Sequence, residues 1–356
     1  MVKYTAIGLM SGTSLDGLDI SLCNYIKNNE KWEFEFLGGK TIPYTNQWKK
    51  KLSEVENSSA LDFSIINSQY GHYLGKCANE FITQNKTRVD FISSHGHTIF
   101  HQPDKNLTVQ IGSGAAIAAE CILPVVCDFR TIDVALNGQG APLVPAGEAH
   151  LFNKYPYCLN IGGFANITLS KNNEKLAFDI CPANIVLNYL VKLLNPELEY
   201  DDKGTNAANG VIDKELLYAL NAIDFYKSTS YKSLGKEWVL KHIHPLILKE
   251  KYSPVELLRT FTEHIAIQIA SVLNEQEPGE VLITGGGAFN NFLIARLKDL
   301  TRQKLIIPSE ETILFKEAII FGFLGVLRME KQVNCLKSVT GADFDNIGGA
   351  VYWPKP

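Results

Sequence analysis

The sequence has few of the features that mark membrane, secreted or nucleic-acid-binding proteins. None of its apolar runs reaches the length that crosses a bilayer, and the first residues, MVKYTAIGLMSG, lack the hydrophobic stretch of a secretory signal. Lysine and arginine are scattered, the net charge is −4, and no basic stripe offers a surface to nucleic acid. We therefore expect a cytoplasmic protein with neither a membrane nor a nucleic-acid partner.

The seven cysteines contain no CxxC pair, the spacing typical of zinc sites and dithiol redox motifs. Their number is odd, and several lie in apolar contexts such as VVCDF and YCLNI. Reduced thiols buried in the core are therefore the simplest prediction. The residues concerned are Cys23, Cys77, Cys121, Cys127, Cys158, Cys181 and Cys335.

The length of the chain predicts two lobes. With 356 residues, 46 % of them apolar and 20 % charged, the sequence has a globular composition and is too long for one ordinary domain. The segment 137–148, NGQGAPLVPAGE, is rich in glycine and proline and is the best linker candidate. We predict an N-terminal lobe at 1–140 and a C-terminal lobe at 141–356, and we allow the last residues to return to the N-terminal lobe.

Three glycine-containing turns stand between apolar segments that have the pattern of strands. The first is SGTSLDGLD at 11–19, the second is NIGGFANIT at 160–168, and the third is ITGGGAFNN at 283–291, which precedes a helix. Glycine permits a close approach of the backbone, and the N–H groups of such turns bind anions. Each turn is a candidate phosphate contact, although an ordinary tight turn explains the first two equally well. The patterns GxxxxGK[ST] and GxGxxG are absent, which argues against a P-loop and a dinucleotide-binding fold.

Several acidic and imidazole side chains stand in or near these polar segments. Asp16 and Asp19 would repel a phosphate unless a cation such as Mg²⁺ lay between them. Asp179 follows a short apolar segment and precedes a proline at the start of a helix, which suits either a helix cap or a base at a ligand site. His97 and His101 have a spacing that could hold a metal on a helix, but the neighbouring Ser, Gly and Thr favour a loop. Sugar contact, structural hydrogen bonding and metal ligation therefore stay open for the two histidines.

The order of the three turns is that of the actin, hexokinase and Hsp70 superfamily, and the likeness extends to twelve short segments along nearly the whole chain. On these segments the sequence resembles the anhydro-N-acetylmuramic acid kinase family. The resemblance implies an α/β protein with a two-lobed actin-like (ribonuclease H-like) ATPase fold and a central interlobe cleft. The segments are GLMSGTSLDGLD, SHGHTIFHQP, QIG, CDFR, NGQGAPLVP, NIGGFANIT, FDICPAN, DDKGTNAANG, KSLGKE, TGGGAFN, KEA and SVTGA.

The resemblance also implies a reaction. Members of the family use ATP and water to open 1,6-anhydro-N-acetylmuramic acid and phosphorylate O6, which gives N-acetylmuramic acid 6-phosphate in cell-wall recycling. Such a reaction needs a base that takes a proton from the attacking water, and the departing bridge oxygen then attacks the γ-phosphate. The phosphoryl step needs mainly positioning and charge neutralisation. ATP and Mg²⁺ are accordingly the expected cofactors, and an amino sugar is the expected partner.

Positions that match the family's motifs take their roles from the resemblance. Asp179, in FDICPAN, matches the catalytic base, and Asp16 and Asp19 would hold Mg²⁺ through water. The side chains implied in sugar binding are His95, His97, Thr98, Gln110, Arg130 and Glu317. The residues implied in nucleotide binding are Gly12, Thr13, Ser14, Leu15, Asp16, Gly17, Leu18, Asp19, Gly162, Gly163, Asn166, Gly285, Gly286, Gly287 and Asn290.

The sequence departs from the family at two places. Thr131 and Ile132 stand where the family has basic residues, and a basic side chain there would suit the lactyl carboxylate of muramic acid. Cys181 and Ala183 stand where the family commonly has glycine. Two other functions therefore stay open. One is an actin-like kinase of another amino sugar, and the other is a metal-dependent actin-like modifying protein that uses His97 and His101. A homodimer is open as well.

Overall fold

The chain forms two compact units in the computed structural model. The first unit consists of Met1–Asn153 together with Phe315–Pro356, and the second unit is Lys154–Leu314. The structure describes residues 2–12, 15–171, 174–227, 233–248 and 251–355.

A six-stranded sheet forms the centre of the first unit. The strands of this unit are β1 (Val2–Ser11), β2 (Gly17–Asn28), β3 (Lys31–Pro43), β4 (Phe91–Ser94), β5 (His97–Gln102), β6 (Leu107–Ile111), β7 (Val125–Cys127) and β13 (Ala350–Tyr352). The order in the sheet is β13-β7-β4-β1-β2-β3, while β5 and β6 form a separate hairpin. The helices are α1 (Asn46–Glu54), α2 (Ala60–Asn85), α3 (Gly114–Cys121), α4 (Thr131–Ala135), α5 (Val144–Leu151), α13 (Glu310–Met329, which begins in the second unit) and α14 (Lys337–Thr340).

A five-stranded sheet forms the centre of the second unit. Its strands are β8 (Tyr157–Ile161), β9 (Phe164–Lys171), β10 (Glu174–Pro182), β11 (Glu280–Thr284) and β12 (Lys304–Ile306), in the order β10-β9-β8-β11-β12. The helices are α6 (Asn184–Leu194), α7 (Thr205–Ala208), α8 (Lys214–Asn221), α9 (Lys236–His242), α10 (His244–Ile247), α11 (Pro254–Asn274) and α12 (Asn291–Leu300). Short 3₁₀ helices lie at Val55–Asn57, Pro103–Lys105, Asp202–Gly204, Asp224–Lys227 and Gly286–Phe289 across the two units.

Both sheets have the same arrangement of their first five strands. The first three strands of each unit run antiparallel to one another, and the fourth and fifth add on the other side of the first strand, parallel to it. The order 3-2-1-4-5 with this pattern of directions is that of the ribonuclease H-like fold. The predicted fold class is therefore confirmed, and the strand–turn–strand at the start of each half is the visible sign of it in the sequence.

The unit boundaries differ from the single cut predicted at 140/141. Helix α5 follows the glycine- and proline-rich segment and packs against β3, so the first unit continues to residue 153. The return at the C-terminus is a block of 42 residues, Phe315–Pro356, where the sequence suggested only the last few. Many of the apolar side chains of its helix, among them Ile319 and Phe323, are fully buried. The cut was placed at the glycine- and proline-rich segment because composition alone does not show what the following helix packs on.

Helix α13 lies close against the sheet of the first unit, and glycine makes the approach possible. A Cβ on Gly8 of β1 would come within 1.9 Å of the Ala318 carbonyl oxygen. Two strand side chains also bond to backbone carbonyls of this helix: Tyr25 donates to Ile319 at 2.6 Å and Ser93 donates to Phe321 at 2.5 Å. These contacts fix the helix that carries Glu317, one of the predicted sugar-binding residues.

Helix α11 is the centre of the second unit and begins where the sequence predicted. Ser253 is its N-cap, Pro254 is its first residue, and Glu256 completes a capping box with the serine. Apolar side chains on most of its circumference are buried, including Phe261 and Ile265. The helix thereby supports the sheet that carries Asp179 and the two glycine turns of this unit.

The segment SHGHTIFH was predicted as a loop, and this prediction is wrong for its second half. His97–Gln102 is strand β5, paired antiparallel with β6. β-Branched and aromatic residues at 98–100 favour a strand and outweigh the loop-forming Ser and Gly that precede them. The correction places His97 and His101 on a strand, so the helical metal-ligand spacing does not apply to them.

The cysteines are free thiols, as predicted: five are buried and Cys121 and Cys127 are partly buried. Among the helices that the structure describes, none combines the length and apolarity that spanning a bilayer requires.

Candidate functional site

The turn between β1 and β2 in the first unit is held at both ends by Tyr44. The tyrosine hydroxyl donates to Ser11 Oγ at 2.7 Å, and its backbone N–H donates to the Asp16 carbonyl at 3.3 Å. The predicted phosphate contacts Thr13 and Ser14 lie outside the described residues. A turn of fixed span is what an anion-binding backbone cradle requires.

The other residues of this turn differ in what they can offer a ligand. Leu15 has a φ of 60° and is half-buried, and the side chain of Leu18 is 1 % exposed. Gly17 lies so close to β3 that a Cβ there would come within 2.6 Å of the Ile42 carbonyl oxygen. The side chains of Leu15 and Leu18 pack toward the core of the unit, so they offer nothing to a ligand at this turn.

The two acidic residues of the turn form an oxygen donor set that fits a hydrated Mg²⁺. Thr41 Oγ1 donates to Asp19 Oδ1 at 2.6 Å, and Asp19 is half-buried while Asp16 is exposed. Burial raises the pKa of Asp19 above its ordinary value, and the nearby Asp16 raises it further. A bound cation would relieve this cost. In the parts of the chain that the structure describes, no three His, Cys, Asp or Glu side chains converge on one point.

His95 and Arg130 form one hydrogen-bonded assembly in the first unit. Arg130 Nε and Nη2 face His95 Nε2 at 3.0 and 2.8 Å, and Arg130 Nη1 donates to the Gly140 carbonyl at 2.5 Å. Because Nε2 accepts, the imidazole carries its proton on Nδ1, which donates to the Gly96 carbonyl at 2.9 Å. Burial and the Arg130 charge lower the pKa of His95 well below its ordinary value, so the ring is neutral.

His97 belongs to a second polar chain that leads back to the first glycine turn. The Tyr70 and Tyr44 hydroxyls are 2.6 Å apart, Tyr44 donates to Ser11, and Ser11 Oγ lies 2.9 Å from His97 Nδ1. Burial lowers the pKa of His97 to about 4, so this ring is neutral as well. His101 has its Nδ1 against a threonine hydroxyl of β6 at 3.1 Å. His97 and His101 each have one ring nitrogen engaged with a hydroxyl, and no group of three His, Cys, Asp or Glu side chains among the described residues includes them.

The remaining predicted sugar-binding residues also lie in the first unit. Thr98 and Gln110 are cross-strand partners in the β5–β6 hairpin. Part of the Glu317 side chain is accessible to solvent. The surrounding protein nevertheless desolvates its carboxyl and raises the pKa, while the charges of Lys316 and Arg130 lower it. Lys316 itself forms a buried ion pair with Glu148, with 2.5 Å between Nζ and Oε1.

Asp133 is a residue that the sequence did not single out. Its buried carboxylate accepts from the Gly140 N–H at 2.7 Å and from Cys335, Thr340 and Asn346 at 2.8 to 2.9 Å. It thereby ties the glycine- and proline-rich segment to the C-terminal residues and sets the position of the Gly140 carbonyl that receives Arg130. The sequence could have suggested Asp133 only because it is an acidic residue shortly after CDFR. Its partners Cys335, Thr340 and Asn346 lie about 200 positions away, which no local pattern reveals.

The second unit carries a row of polar side chains across four adjacent strands. Asp179 of β10 is opposite Asn166 of β9, which is opposite Asn160 of β8, which in turn is opposite Thr284 of β11. The strands are otherwise mostly apolar, so a polar row at one level of the sheet indicates a site and not packing. The row joins the predicted base, the second glycine turn and the third glycine turn within one unit.

The described residues that bond to Asp179 hold one of its two carboxylate oxygens. Its Oδ2 accepts from the Leu234 N–H at 2.7 Å and faces the Ser233 hydroxyl at 3.4 Å, and no described residue bonds to Oδ1. The strand has an irregularity in its register after Asp179. Burial raises the pKa of this carboxyl above its ordinary value, while the Leu234 and Ser233 bonds lower it. The helix-cap alternative is wrong, because the N-cap of α6 is Ala183 and no side chain caps this helix.

The second glycine turn, Gly162 and Gly163, connects β8 to β9 and receives the start of α6. The Gly163 carbonyl accepts the backbone N–H groups of Ala183 and Ile185, and the Gly162 carbonyl accepts that of Asn184. The Gly162 N–H donates to the Phe164 carbonyl at 3.1 Å, so of the two glycines it is Gly163 whose N–H has no backbone acceptor among the described residues and could meet a ligand. No side chain would clash there, since a Cβ on Gly163 would meet nothing nearer than 3.9 Å.

A cavity of about 760 Å³ in the second unit adjoins the third glycine turn. Gly286 and Asn290 line it, and Asn290 caps α12 by accepting the Leu293 N–H at 2.9 Å. Gly285 and Gly287 shape its wall from behind, against Asn160 and Ile161. The lining also includes residues that the sequence did not assign: Leu187, Tyr200, Asp202, Lys203, Phe289, Ile307, Glu310 and Ile313.

The size and lining of this cavity suit a nucleotide. Ligand pockets are typically about 300–1,000 Å³ and mostly apolar, with a few polar groups. Tyr200, Phe289 and Ile307 are partly or largely exposed apolar side chains at its surface, at 62 %, 37 % and 40 %. A flat aromatic ring is the kind of group that would cover them. The segment DDKGTNAANG, which resembles the family, contains Asp202 and Lys203 and could have pointed to this part of the lining. No motif in the sequence marks Ile307.

The comparisons of sequence with known proteins agree on one family. The sequence model of the family described as anhydro-N-acetylmuramic acid kinase matches residues 4–354. An anhydro-N-acetylmuramic acid kinase of Coxiella burnetii is 35 % identical over 99 % of this chain and 98 % of its own, and one of Francisella tularensis subsp. novicida is 32 % identical over 98 % of each. Among solved structures, the activator of the 2-hydroxyisocaproyl-CoA dehydratase from Clostridium difficile with bound ADPNP superposes with a TM-score of 0.44 at 13 % identity, over 92 % of this chain and 97 % of that one.

Proposed function

Because this chain belongs to the anhydro-N-acetylmuramic acid kinase family, we propose that it opens 1,6-anhydro-N-acetylmuramic acid with water and transfers the γ-phosphate of ATP to O6. The product is N-acetylmuramic acid 6-phosphate, and we place the reaction in the cytoplasm as a step of cell-wall recycling. The single observation that carries the proposal is Asp179: a half-buried carboxylate with one oxygen held and the other unoccupied by any described residue, at the end of a polar row.

The nucleotide binds, in this proposal, to the cavity of the second unit. The apolar side chains of Phe289 and Ile307 cover the faces of the adenine ring. The Gly286 backbone lines the cavity and allows the nucleotide to approach closely, since this position carries no side chain. The acidic groups of the lining are Asp201, Asp202 and Glu310. Asp201 already accepts from Asn206 and from the Ala207 N–H, so Asp202 and Glu310 suit the ribose hydroxyls as acceptors.

The glycine turns serve the phosphates. Backbone N–H groups of the turn after β1 and that of Gly163 would bind phosphate oxygens, since the Gly162 N–H already donates to the Phe164 carbonyl. Asp16 and Asp19 would hold Mg²⁺ through water, and this ion supplies charge neutralisation for the phosphates when it is bound. Thr41 keeps Asp19 in place through its hydroxyl.

Asp179 acts on the water. Its Oδ1 takes a proton as the water oxygen bonds to the anomeric carbon and the bond from that carbon to the bridging oxygen breaks. The bridging oxygen remains attached to C6 and becomes the group that attacks the γ-phosphate, with ADP as the leaving group. The Leu234 N–H holds Oδ2 and so turns the free lone pairs of Oδ1 in one direction.

Direct detection of the product tests the proposal. Purified protein, ATP, Mg²⁺ and the anhydro sugar should give a phosphosugar whose mass equals the sugar plus one water plus one phosphoryl group. In ¹⁸O-labelled water the label should enter the sugar at C1 and not the phosphate. A phosphosugar formed only from N-acetylglucosamine or from free N-acetylmuramic acid would favour a kinase for another amino sugar. ATP consumption that is independent of any sugar would contradict both.

The raised pKa of Asp179 sets an expected pH dependence. Only the deprotonated carboxylate can take a proton, so kcat should fall as the pH drops through this pKa, in a limb that lies above the ordinary value of 3.8. No loss from this group is expected at higher pH. The measurement is kcat at saturating substrates from about pH 4 to pH 9, where the loss approaches tenfold per pH unit below the pKa. An acid limb at or below the ordinary value would contradict the assignment.

A further inference from the structure

A buried polar cluster lies inside the apolar core of the second unit. At its centre is His264 of α11, which is fully buried. The Nδ1 atom of this histidine lies 2.7 Å from Asn221 Oδ1, at the end of α8, and its Nε2 lies 3.1 Å from the Tyr226 hydroxyl. Gln268 completes the cluster, since its Nε2 donates to Asn221 Oδ1 at 2.8 Å. Polar groups in such a core are costly unless they are bonded, and a bonded cluster fixes one arrangement of its members.

The bonds of His264 have a defined direction. Burial lowers the pKa of this histidine to about 3, so the ring is neutral and carries one proton. The amide oxygen of Asn221 is an acceptor, so the proton stands on Nδ1 and donates to that oxygen. The other ring nitrogen, Nε2, then accepts the hydroxyl proton of Tyr226. The Tyr226 ring is thereby held at its polar end, with its centroid 5.0 Å from that of the imidazole.

Tyr226 adjoins both of the groups that orient Asp179. The first group is the strand segment that follows the register irregularity after Asp179, and it carries the buried thiol of Cys181. Burial raises the pKa of Tyr226, and the nearby Cys181 thiol raises it further. The second group is the Leu234 N–H, which donates to Asp179 Oδ2 at 2.7 Å just before α9 begins. Trp238, the third residue of α9, lies edge-on to the Tyr226 ring with 6.2 Å between the centroids.

We propose that His264 is a positioning residue for Asp179, and that it acts through Tyr226 on the strand and on the helix start that orient the carboxylate. The inference rests on the proposed function, in which Asp179 is the base. The ring nitrogens of His264 bond to Asn221 and Tyr226, so the histidine has no part in the chemistry itself. A base must be aligned with the water that it deprotonates, and a displacement of about 1 Å can lower the rate about 10²-fold.

Three variants test the two bonds of the imidazole separately. In Tyr226→Phe the ring remains and the hydroxyl is lost. In His264→Asn an amide nitrogen can replace Nδ1 toward Asn221, but nothing reaches Tyr226. In His264→Gln the amide oxygen can replace Nε2 as the acceptor for Tyr226, so this variant is the conservative one.

The expected result is a shift of the acid limb of kcat. The Leu234 N–H lowers the pKa of Asp179, so a looser bond allows that pKa to rise. In Tyr226→Phe and His264→Asn the limb should move up by about one pH unit, and kcat on the plateau should fall about tenfold. His264→Gln should stay within about threefold of the wild type. Calorimetry should show unchanged affinity for ADP in all three variants, because none of the exchanged side chains lines the cavity.

The pKa of Asp179 can also be measured without turnover. The ¹³C resonance of its carboxyl carbon is identified by its absence in Asp179→Asn. This resonance should titrate about one pH unit higher in Tyr226→Phe than in the wild type. A wild-type protein that forms no phosphosugar would contradict the proposed function alone, and the carboxyl titration would then decide the positioning role of His264.

Tyr157→Phe is the matched control. Tyr157 lies in the same unit, and its hydroxyl donates to the Glu277 carbonyl at 2.8 Å, so the variant also loses one hydroxyl bond. It should lower the midpoint of chemical denaturation as Tyr226→Phe does, yet leave the acid limb and the titration of Asp179 unchanged. If Tyr226→Phe and His264→Asn lower the midpoint but also leave both pH measurements at the wild-type value, His264 only stabilises the core, and the inference is overturned.

Discussion

Asp179→Asn should lower kcat for the phosphosugar by about 10³-fold, within the range of about 10²–10⁴ that a positioned general base contributes. The amide oxygen can still accept the Leu234 N–H, so the strand and its hydrogen bond are retained. What is lost is the ability to take a proton. Product formation under saturating substrate measures the effect, and calorimetry with ADP should show unchanged nucleotide affinity, because Asp179 is not part of the cavity lining.

Asp299→Asn is the control for this variant. Asp299 is an exposed acid of the same unit, paired with Arg296 on the surface of α12, so the same chemical change there should leave kcat unaffected. The pH profile adds a second criterion. Residual activity of Asp179→Asn should lack the acid limb of the wild type. A variant with kcat near the wild-type value, or with the limb intact, would remove Asp179 from the role of base.

Gly285→Ala should weaken nucleotide binding at least tenfold and lower the free energy of unfolding by more than about 2 kcal/mol, because the backbone at this position suits glycine alone. Its φ of 79° and ψ of 166° lie in a region that side chains exclude. A Cβ would also come within 2.6 Å of Asn160 Oδ1 and 2.7 Å of the Ile161 carbonyl oxygen. The wall of the cavity and the polar row would both have to move. ADP calorimetry and chemical denaturation measure the two effects.

Substitutions at two other glycines separate the two causes of the expected loss at Gly285, namely backbone strain and the clash of a Cβ with its neighbours. Gly341→Ala introduces a Cβ at a φ of 76° with nothing within 4 Å, so it carries backbone strain without a clash. Gly163→Ala introduces a Cβ that meets nothing nearer than 3.9 Å, at a φ that is not positive, so it carries neither. If Gly285→Ala binds ADP as tightly as Gly163→Ala does, the third glycine turn does not form the wall of a nucleotide site.

The sequence was sufficient for the fold class because its signals were local and repeated. The two strand–turn–strand segments and the strand followed by three glycines occur at the positions that a ribonuclease H-like sheet requires. Ser253 and Pro254 marked the start of the longest helix of the second unit with no help from tertiary structure. In contrast, the unit boundary was missed because the packing of α5 on β3 joins residues about 110 positions apart, which no local pattern reports.

The sequence singled out polar residues of the candidate site but not the groups that hold these residues in place. Asp179 and Arg130 carry titratable groups in motifs, and such groups stand out in a sequence. The Leu234 N–H, the Gly140 carbonyl and the buried carboxylate of Asp133 act through contacts that only the folded chain creates. Apolar lining residues such as Ile307 are indistinguishable in sequence from core residues. The sequence therefore suggested which titratable groups could act, whereas their hydrogen-bond partners became visible only in the folded chain.

The return of residues 315–356 to the first unit bears on the order in which the protein is built. During synthesis the second unit is complete once residue 314 has left the ribosome, whereas the sheet of the first unit still lacks β13 and the helix that covers it. Domains generally fold as units while the chain emerges. The later half in sequence should thus be the earlier one to mature, and a nascent chain stopped before its last forty or so residues should carry a folded second unit beside an unfinished first one.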